Sequence, residues 1–503
     1  MMMRQSVRSS GRRLAQLRLP LTSQRAFAVA VDISSPLVAN EPQGPTIKTA
    51  IPGPAALKAK EEMGRLQDTR AVNMMVDYES SIGNYMCDAD NNYLLDVYAQ
   101  IASIALGYNN PALLKAAQTP EFARALMNRP ALGNFPSKDW AKILEDGLLS
   151  VCPPGQTKVY TAMCGSCANE TAYKAAFMYH QAQKRGADAS FTEEELNSCM
   201  KNQAPGSPDL AILSFSKGFH GRLFGSLSTT RSKTIHKLDI PAFDWPEAEF
   251  PALKYPLADN VEANKAEEER CLKQVEQIIK TWKAPVAACI VEPIQSEGGD
   301  NHASAGFFHG LQRILKENKV LFIVDEVQTG VGATGKFWAH EHWQLPEAPD
   351  IVTFSKKMQA AGWYFNNEKL IPNLPYRQFN TWMGDPVRTL QAKILVQEIK
   401  KNNLVEHTKK TGEYLYGKLE TLAEQFPKHL ASLRGKDRGT FIAWDLPSGD
   451  KRDAFITAMK QNGILMGGCG PRTVRLRPTL TFGKQHADIL VAAIGKTAKE
   501  MPL

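Results

Sequence analysis

Short apolar runs recur through the middle of the chain, at residues 158–162, 210–215, 286–294, 320–327 and 350–354. They stay apolar rather than alternating with polar positions. Each is followed by Gly, Ser, Asp, Lys or Gln, and then by a longer segment that can be helical. Strands buried on both faces read this way, so the pattern predicts an α/β fold with a mainly parallel sheet flanked by helices. In such sheets ligands sit beyond the carboxyl ends of the strands. The polar residues that close the runs are therefore the ones to read for chemistry.

The texture changes from Asp385. Residues 387–419 read as mostly helix, with Leu390, Ala392, Leu395 and Ile399 at helical spacing. Strands are expected at 440–444 and 474–476, then a helix from His486, which together make a second, smaller α+β domain. Ahead of the first strand–helix unit, the prolines at 42, 45, 52 and 54 exclude regular helix and predict an extended arm. The expected organisation is a leader over 1–31, an N-terminal arm over 32–77, a large domain over 78–385 and a small domain over 386–503. The charged stretch 267–270 reads as a solvated helix face.

Composition adds little until the charge is located. The chain has 503 residues, too many for one ordinary core. Its net charge is +8, but Arg4, Arg8, Arg12, Arg13, Arg18 and Arg25 supply six of those charges in a stretch without Asp or Glu. The remaining +2 gives no reason to invoke nucleic acid. An Arg-rich, acid-free start predicts a mitochondrial transit peptide, hence the matrix. No apolar run approaches the length of a membrane span. Eight cysteines in a chain this long do not make a disulfide framework.

Two run ends carry complementary chemistry. Ile323-Val324-Asp325 closes one strand on a carboxylate, and Thr353-Phe354-Ser355-Lys356-Lys357 closes another on a lysine. That pair suits pyridoxal 5'-phosphate. The lysine forms a Schiff base with its aldehyde, and the carboxylate pairs with the ring N–H and keeps the ring an electron sink. No G-x-G-x-x-G follows the first strand, which argues against a nicotinamide dehydrogenase.

Seven segments, in order, carry a resemblance: Cys164-Gly165-Ser166-Cys167, Gly218-Phe219-His220-Gly221-Arg222, Glu292-Pro293-Ile294-Gln295-Ser296-Glu297-Gly298-Gly299, Asp325-Glu326-Val327-Gln328, Phe354-Ser355-Lys356-Lys357, Phe379-Asn380-Thr381 and Arg475-Leu476-Arg477-Pro478. With them the chain, from about residue 50 on, resembles the eukaryotic 4-aminobutyrate aminotransferases, a branch of the class III, fold-type-I pyridoxal-phosphate enzymes. The resemblance implies a small domain that also takes in the N-terminal segment, and a homodimer with active sites at the subunit interface. It implies that Gly165 and Ser166 hold the cofactor phosphate at the start of a helix over 167–183. Phe219 and His220 cover one ring face, Gln328 reaches the phenolic oxygen, and Thr381 reaches the phosphate of the partner subunit. The reactive lysine follows the small residue Ser355, which selects Lys356 over Lys357. Many relatives have two glycines shortly after it. Here the chain has Ala361-Gly362, a departure that bears on the loop and not on the chemistry.

The same resemblance gives Arg222 the distal carboxylate of 4-aminobutyrate and Arg475 the α-carboxylate of 2-oxoglutarate. Glu297 masks Arg475 during the first half-reaction, and Glu292 is an acidic neighbour in the same pocket. The expected products are succinate semialdehyde and L-glutamate. β-Alanine, 5-aminovalerate or ornithine are the alternative substrates, and a non-catalytic scaffold or sensor is the alternative class. Cys164 and Cys167 supply two thiolates, while zinc and iron–sulfur centres usually need four ligands. The resemblance implies a [2Fe-2S] cluster shared across the dimer, and buried thiols or a regulatory dithiol are the other readings.

Overall fold

Three short strands, β1 (Val76–Ile82), β2 (Tyr85–Asp88) and β3 (Tyr93–Asp96), form an antiparallel meander. Next in the chain come β4 (Lys158–Ala162), β5 (Ala211–Phe215), β6 (Glu247–Ala248), β7 (Val286–Val291), β8 (Leu321–Asp325), β9 (Ile351–Phe354) and β10 (Ala361–Phe365). They build one seven-stranded sheet in the order β4-β10-β9-β8-β7-β5-β6. The neighbours from β6 to β9 pair in parallel, and β10 runs antiparallel between β9 and β4. Every residue of β5, β7, β8 and β9 is buried, which accounts for their unbroken apolar runs.

β10 is one of several strands the sequence does not announce, and the one inside the large sheet rather than at its edge. The Ala361-Gly362 departure lies in this strand and not in a loop. A Cβ on Gly362 would come within 2.1 Å of the Tyr160 carbonyl, so the neighbouring strand requires glycine there.

The last strands, β11 (Ala431–Arg434), β12 (Ala443–Asp445), β13 (Ile464–Leu465), β14 (Gly467–Cys469) and β15 (Thr473–Arg475), follow two long helices, Pro386–Lys401 and Leu404–Gln425. Asp385 starts the first of these. It accepts from the amides of Val387 and Arg388, and proline fills the first helical position. β11, β12, β15 and β14 form an antiparallel sheet, whereas β13 pairs in parallel with β3. The N-terminal meander thus shares a core with the C-terminal part, with Tyr85, Leu95 and Val97 packed among Leu415, Trp444, Phe455 and Leu490. The boundary expected between residues 77 and 78 falls inside β1.

The computed structural model describes residues 31–186 and 190–503, so the expected leader lies outside the described residues except for Val31. Asp32–Leu503 pack as one unit. Among the described residues no helix is long and apolar enough to cross a membrane. The charged stretch 267–270 is only partly solvated. Glu268 is buried and accepts from both the backbone amide and the hydroxyl of Ser304, which itself caps the helix Ala305–Glu317.

Candidate active site

A cavity of about 300 Å³ opens at the carboxyl ends of β5, β7, β8 and β9. Its wall includes Cys164, Gly165, Ser166, Phe219, His220, Arg222, Glu292, Asp325, Gln328 and Lys356. Ten of the fourteen residues singled out in the sequence therefore meet at one place. Cys167, Thr381, Glu297 and Arg475 lie off this wall.

Asp325 ends β8 and is 3% exposed. Its Oδ2 lies 2.8 Å from His220 Nδ1 and accepts from Asn169 Nδ2 at 2.9 Å, and its Oδ1 accepts from the Val327 amide. His220, expected only as ring cover, is therefore also a direct partner of the carboxylate. Asn169 was not foreseen. It lies four residues after Gly165 on the helix Gly165–Arg185, the spacing that puts two residues on one face.

Lys356 follows β9 in a single 3-10 turn with φ +44°, so it and Lys357 do not alternate as strand neighbours. They still diverge. Lys356 lines the cavity and its Nζ donates to the Ile101 carbonyl at 3.3 Å. Lys357 Nζ is buried and has no partner among the described residues. Burial first, then the charge of Arg475, lowers the Lys356 pKa to about 8. Burial and Arg477 lower Lys357 to about 7. Ile101 belongs to a left-handed turn at Ala99–Ala102, where four non-glycine residues have φ between +47° and +63°. Asp96 braces that turn, accepting from the Tyr98 and Ala99 amides and from the Tyr108 hydroxyl.

The helix Gly165–Arg185 starts beside β8. A Cβ on Gly165 would meet Val327 at 2.8 Å, and one on Gly221 would meet the Ser166 hydroxyl at 2.1 Å. Glycine at both positions lets two chain segments close around the helix start. Cys164, the N-cap, makes no side-chain capping bond, so the first turn keeps N–H groups for an anion. An anion cradle, a buried carboxylate and a low-pKa lysine without a carboxylate partner fit pyridoxal phosphate.

Glu292 is buried, and its two oxygens accept from the Phe219 and Ser296 amides. Burial, reinforced by Asp325, pushes its pKa up to about 8. Although it lines the cavity, it works by tying two loops together. Gln328 Oε1 accepts from Arg477 Nε at 3.0 Å and Arg475 Nη1 at 3.3 Å. Its carbonyl end is therefore taken, and among the described residues only Nε2 is left unpartnered.

Arg475 is 2% exposed and pairs with Glu297 at 2.8 Å, with the Tyr98 hydroxyl 3.2 Å away. The other Glu297 oxygen pairs with Lys233 at 2.7 Å. Burial pushes the Glu297 pKa up, but Arg475 and Lys233 together outweigh it and hold the carboxyl below its ordinary value. Arg477 pairs with Asp300 at 2.5 Å. Arg222 is exposed, 3.3 Å from His236 Nε2, with its guanidinium 5.1 Å from the Phe219 ring centre. Lys233, Tyr98 and Ile101 carry no local sequence signal for these contacts. Arg477 lies just beyond β15 and reaches the same Gln328 oxygen as Arg475.

Thr381 is exposed near Ile371, Leu374, Tyr376 and Trp382, which are exposed as well. The Cys164 and Cys167 thiols lie 3.5 Å apart, and their shared hydrogen bond draws Cys164 down to about 6 while pushing Cys167 up. Among the described residues no three His, Cys, Asp or Glu side chains group as a metal site.

Residues 66–497 match the aminotransferase class-III family. A 4-aminobutyrate aminotransferase of Emericella nidulans is 60% identical, covering 99% of this chain and all of that relative. One from Saccharomyces cerevisiae is 56% identical over 92% of this chain and 98% of its own length. The human protein named 4-aminobutyrate aminotransferase, mitochondrial, is 47% identical over 89% of each chain. Among solved structures, the lysine aminotransferase of M. tuberculosis superposes with a TM-score of 0.77 at 30% identity, covering 89% of this chain and 99% of that one.

Proposed function

The chain belongs to the class III aminotransferases, and we propose that it transfers the amino group of 4-aminobutyrate to 2-oxoglutarate, giving succinate semialdehyde and L-glutamate. One observation carries this reading. Arg222 has no carboxylate partner among the described residues, whereas the buried Arg475 is masked by Glu297. A free cation and a masked one suit a pocket that must bind first one carboxylate and then two. The names of the relatives point to the same substrate. The direct test is product analysis: 4-aminobutyrate and 2-oxoglutarate should yield the semialdehyde and L-glutamate in equal amounts. Glutamate formation that does not depend on 4-aminobutyrate would refute the reading.

When bound, pyridoxal phosphate supplies an aldehyde for amines and an electron sink that acidifies the adjoining C–H bond. The amides at the helix start, with Gly165 and Ser166, would hold its phosphate. Asp325 would hold the proton on the ring nitrogen, its own position fixed by His220 and Asn169. Gln328, anchored through its carbonyl, offers Nε2 to the phenolic oxygen, and Phe219 with His220 would cover a ring face. Lys356 Nζ is the base that takes the proton from the substrate carbon and returns it. Arg222 would bind the carboxylate far from the reacting amine. Arg475 would bind the α-carboxylate of the second substrate once Glu297 lets go.

The protein would act as a homodimer. The exposed Met127, Phe135, Tyr376 and Trp382 are apolar surface for a second copy to cover, and Thr381 beside them would reach the partner's phosphate site. Cys164 and Cys167 give two thiols per chain, so two copies would complete a four-thiolate [2Fe-2S] site. Residues 1–31 would direct the chain to the mitochondrial matrix.

A further inference from the structure

The short segment from Lys233 to His236 touches both carboxylate-recognising poles of the pocket. Lys233 Nζ holds Glu297 Oε1 at 2.7 Å, and three residues on His236 Nε2 lies 3.3 Å from Arg222 Nη2. Glu297 is consequently a bridge, one oxygen on Lys233 and the other on Arg475 at 2.8 Å. Its side chain is 16% exposed, so water alone cannot stabilise it as a free anion.

This matters when a dicarboxylate binds. On the reading proposed above, the second carboxylate draws Arg475 away and Glu297 loses one of its two cations. If Lys233 remains, the carboxylate is still paired. If Lys233 is removed, Glu297 has either to stay on Arg475, which blocks the substrate, or to stand unpaired in a buried site. Both outcomes weaken dicarboxylate binding. A substrate with a single carboxylate on Arg222 leaves the Lys233–Glu297–Arg475 bridge intact, and Lys233 is then indifferent to it.

We infer that Lys233 is a positioning residue for the second substrate: it keeps Glu297 when Arg475 turns to an α-carboxylate, and so sets the dicarboxylate affinity of the pocket. The inference rests on the 4-aminobutyrate/2-oxoglutarate reading. Its acidic partner is Glu297, and the cations facing that carboxylate are Lys233 itself and Arg475. Lys233 is 39% exposed, which leaves room for glutamine or arginine in its place.

The test uses the full-length holoenzyme and its Lys233→Gln, Lys233→Arg, Glu297→Ala and Lys233→Gln/Glu297→Ala forms. Calorimetry with glutarate, an unreactive five-carbon dicarboxylate, reads binding without turnover. Lys233→Gln should weaken glutarate and raise the KM for 2-oxoglutarate by about 10- to 100-fold, with a much smaller change in kcat. Single-turnover reaction with 4-aminobutyrate should change by less than about threefold, within what an exposed ion pair contributes. Lys233→Arg should restore binding, and the glutamine effect should vanish in the Glu297→Ala background. Equal losses with both substrates, or a loss that persists without Glu297, would overturn the inference. A wild-type protein that does not convert 4-aminobutyrate would instead overturn the functional reading. A wild-type protein that does, beside a Lys233→Gln form binding glutarate normally, would overturn the inference alone.

Discussion

His220 Nδ1 lies 2.8 Å from Asp325 Oδ2, and both side chains are almost wholly buried. The carboxylate at the end of β8 is therefore held from the side by an imidazole and by the Asn169 amide. A carboxylate pinned in this way has one geometry to offer a ring nitrogen.

Asp325→Asn should keep the cofactor, since the phosphate cradle and Lys356 are untouched, yet lose several orders of magnitude in turnover. A neutral amide cannot hold the ring nitrogen's proton, and the electron sink weakens. Cofactor content by absorbance and kcat measured side by side check this. Turnover near the wild-type rate would reduce Asp325 to a structural group.

Lys356 should become reactive at an unusually low pH. Its pKa is lowered to about 8, so the neutral amine appears as pH rises through that value rather than through the ordinary 10.5. In cofactor-free protein, labelling of Lys356 by an amine reagent should rise through about pH 8. Borohydride reduction of the holoenzyme should fix the cofactor to the same residue. Lys356→Ala should abolish turnover. Peptide mapping that finds the reduced cofactor on Lys357 would move the assignment to the neighbour.

How much of this was legible in the sequence follows from what each feature depends on. β7 and β8 announced themselves because strands buried on both faces cannot alternate, and Asp325 stood out as the charge that ends such a run. The phosphate role expected of Gly165 and Ser166 came from the family resemblance and not from a local pattern. Gly165 and Gly221 sit where a Cβ would collide with Val327 and Ser166, so glycine in these motifs reflects close packing. β10 was missed because it follows Lys356 after a tight turn and runs antiparallel, outside the strand–helix rhythm. Lys233 and Tyr98 were missed because their partners lie 64 and 377 residues away, and no local pattern encodes such contacts. Glu268 misled because a charge run on a helix looks solvated until a distant Ser304 is folded against it.

The mask on Arg475 predicts a selective loss. In Glu297→Ala/Arg475→Ala, where no buried charge is stranded, kcat/KM for 2-oxoglutarate should fall about 10- to 100-fold, the worth of one charge-assisted bidentate contact. Single-turnover conversion by 4-aminobutyrate should change far less, while Arg222→Ala should damage both halves. Stopped-flow measurement of each half separately decides this, and equal losses in both halves of the double mutant would rule the mask out.

The thiol pair predicts iron. Protein purified without oxygen should contain about one [2Fe-2S] cluster per dimer if each chain gives Cys164 and Cys167. Cys164→Ser should remove the iron without removing the cofactor. Stoichiometric zinc, or no metal after maturation with iron supplied, would refute the shared cluster and leave the aminotransferase reading standing.

On the proposed function, one cavity passes an amino group from 4-aminobutyrate to the enzyme and then from the enzyme to 2-oxoglutarate. Holoenzyme given 4-aminobutyrate alone should release about one equivalent of succinate semialdehyde per cofactor and stop, because the amino group has nowhere further to go. Adding 2-oxoglutarate should release an equal amount of L-glutamate and restart turnover, and Lys356→Ala should do neither. Continuous semialdehyde release without 2-oxoglutarate, or none from wild-type holoenzyme, would contradict the account.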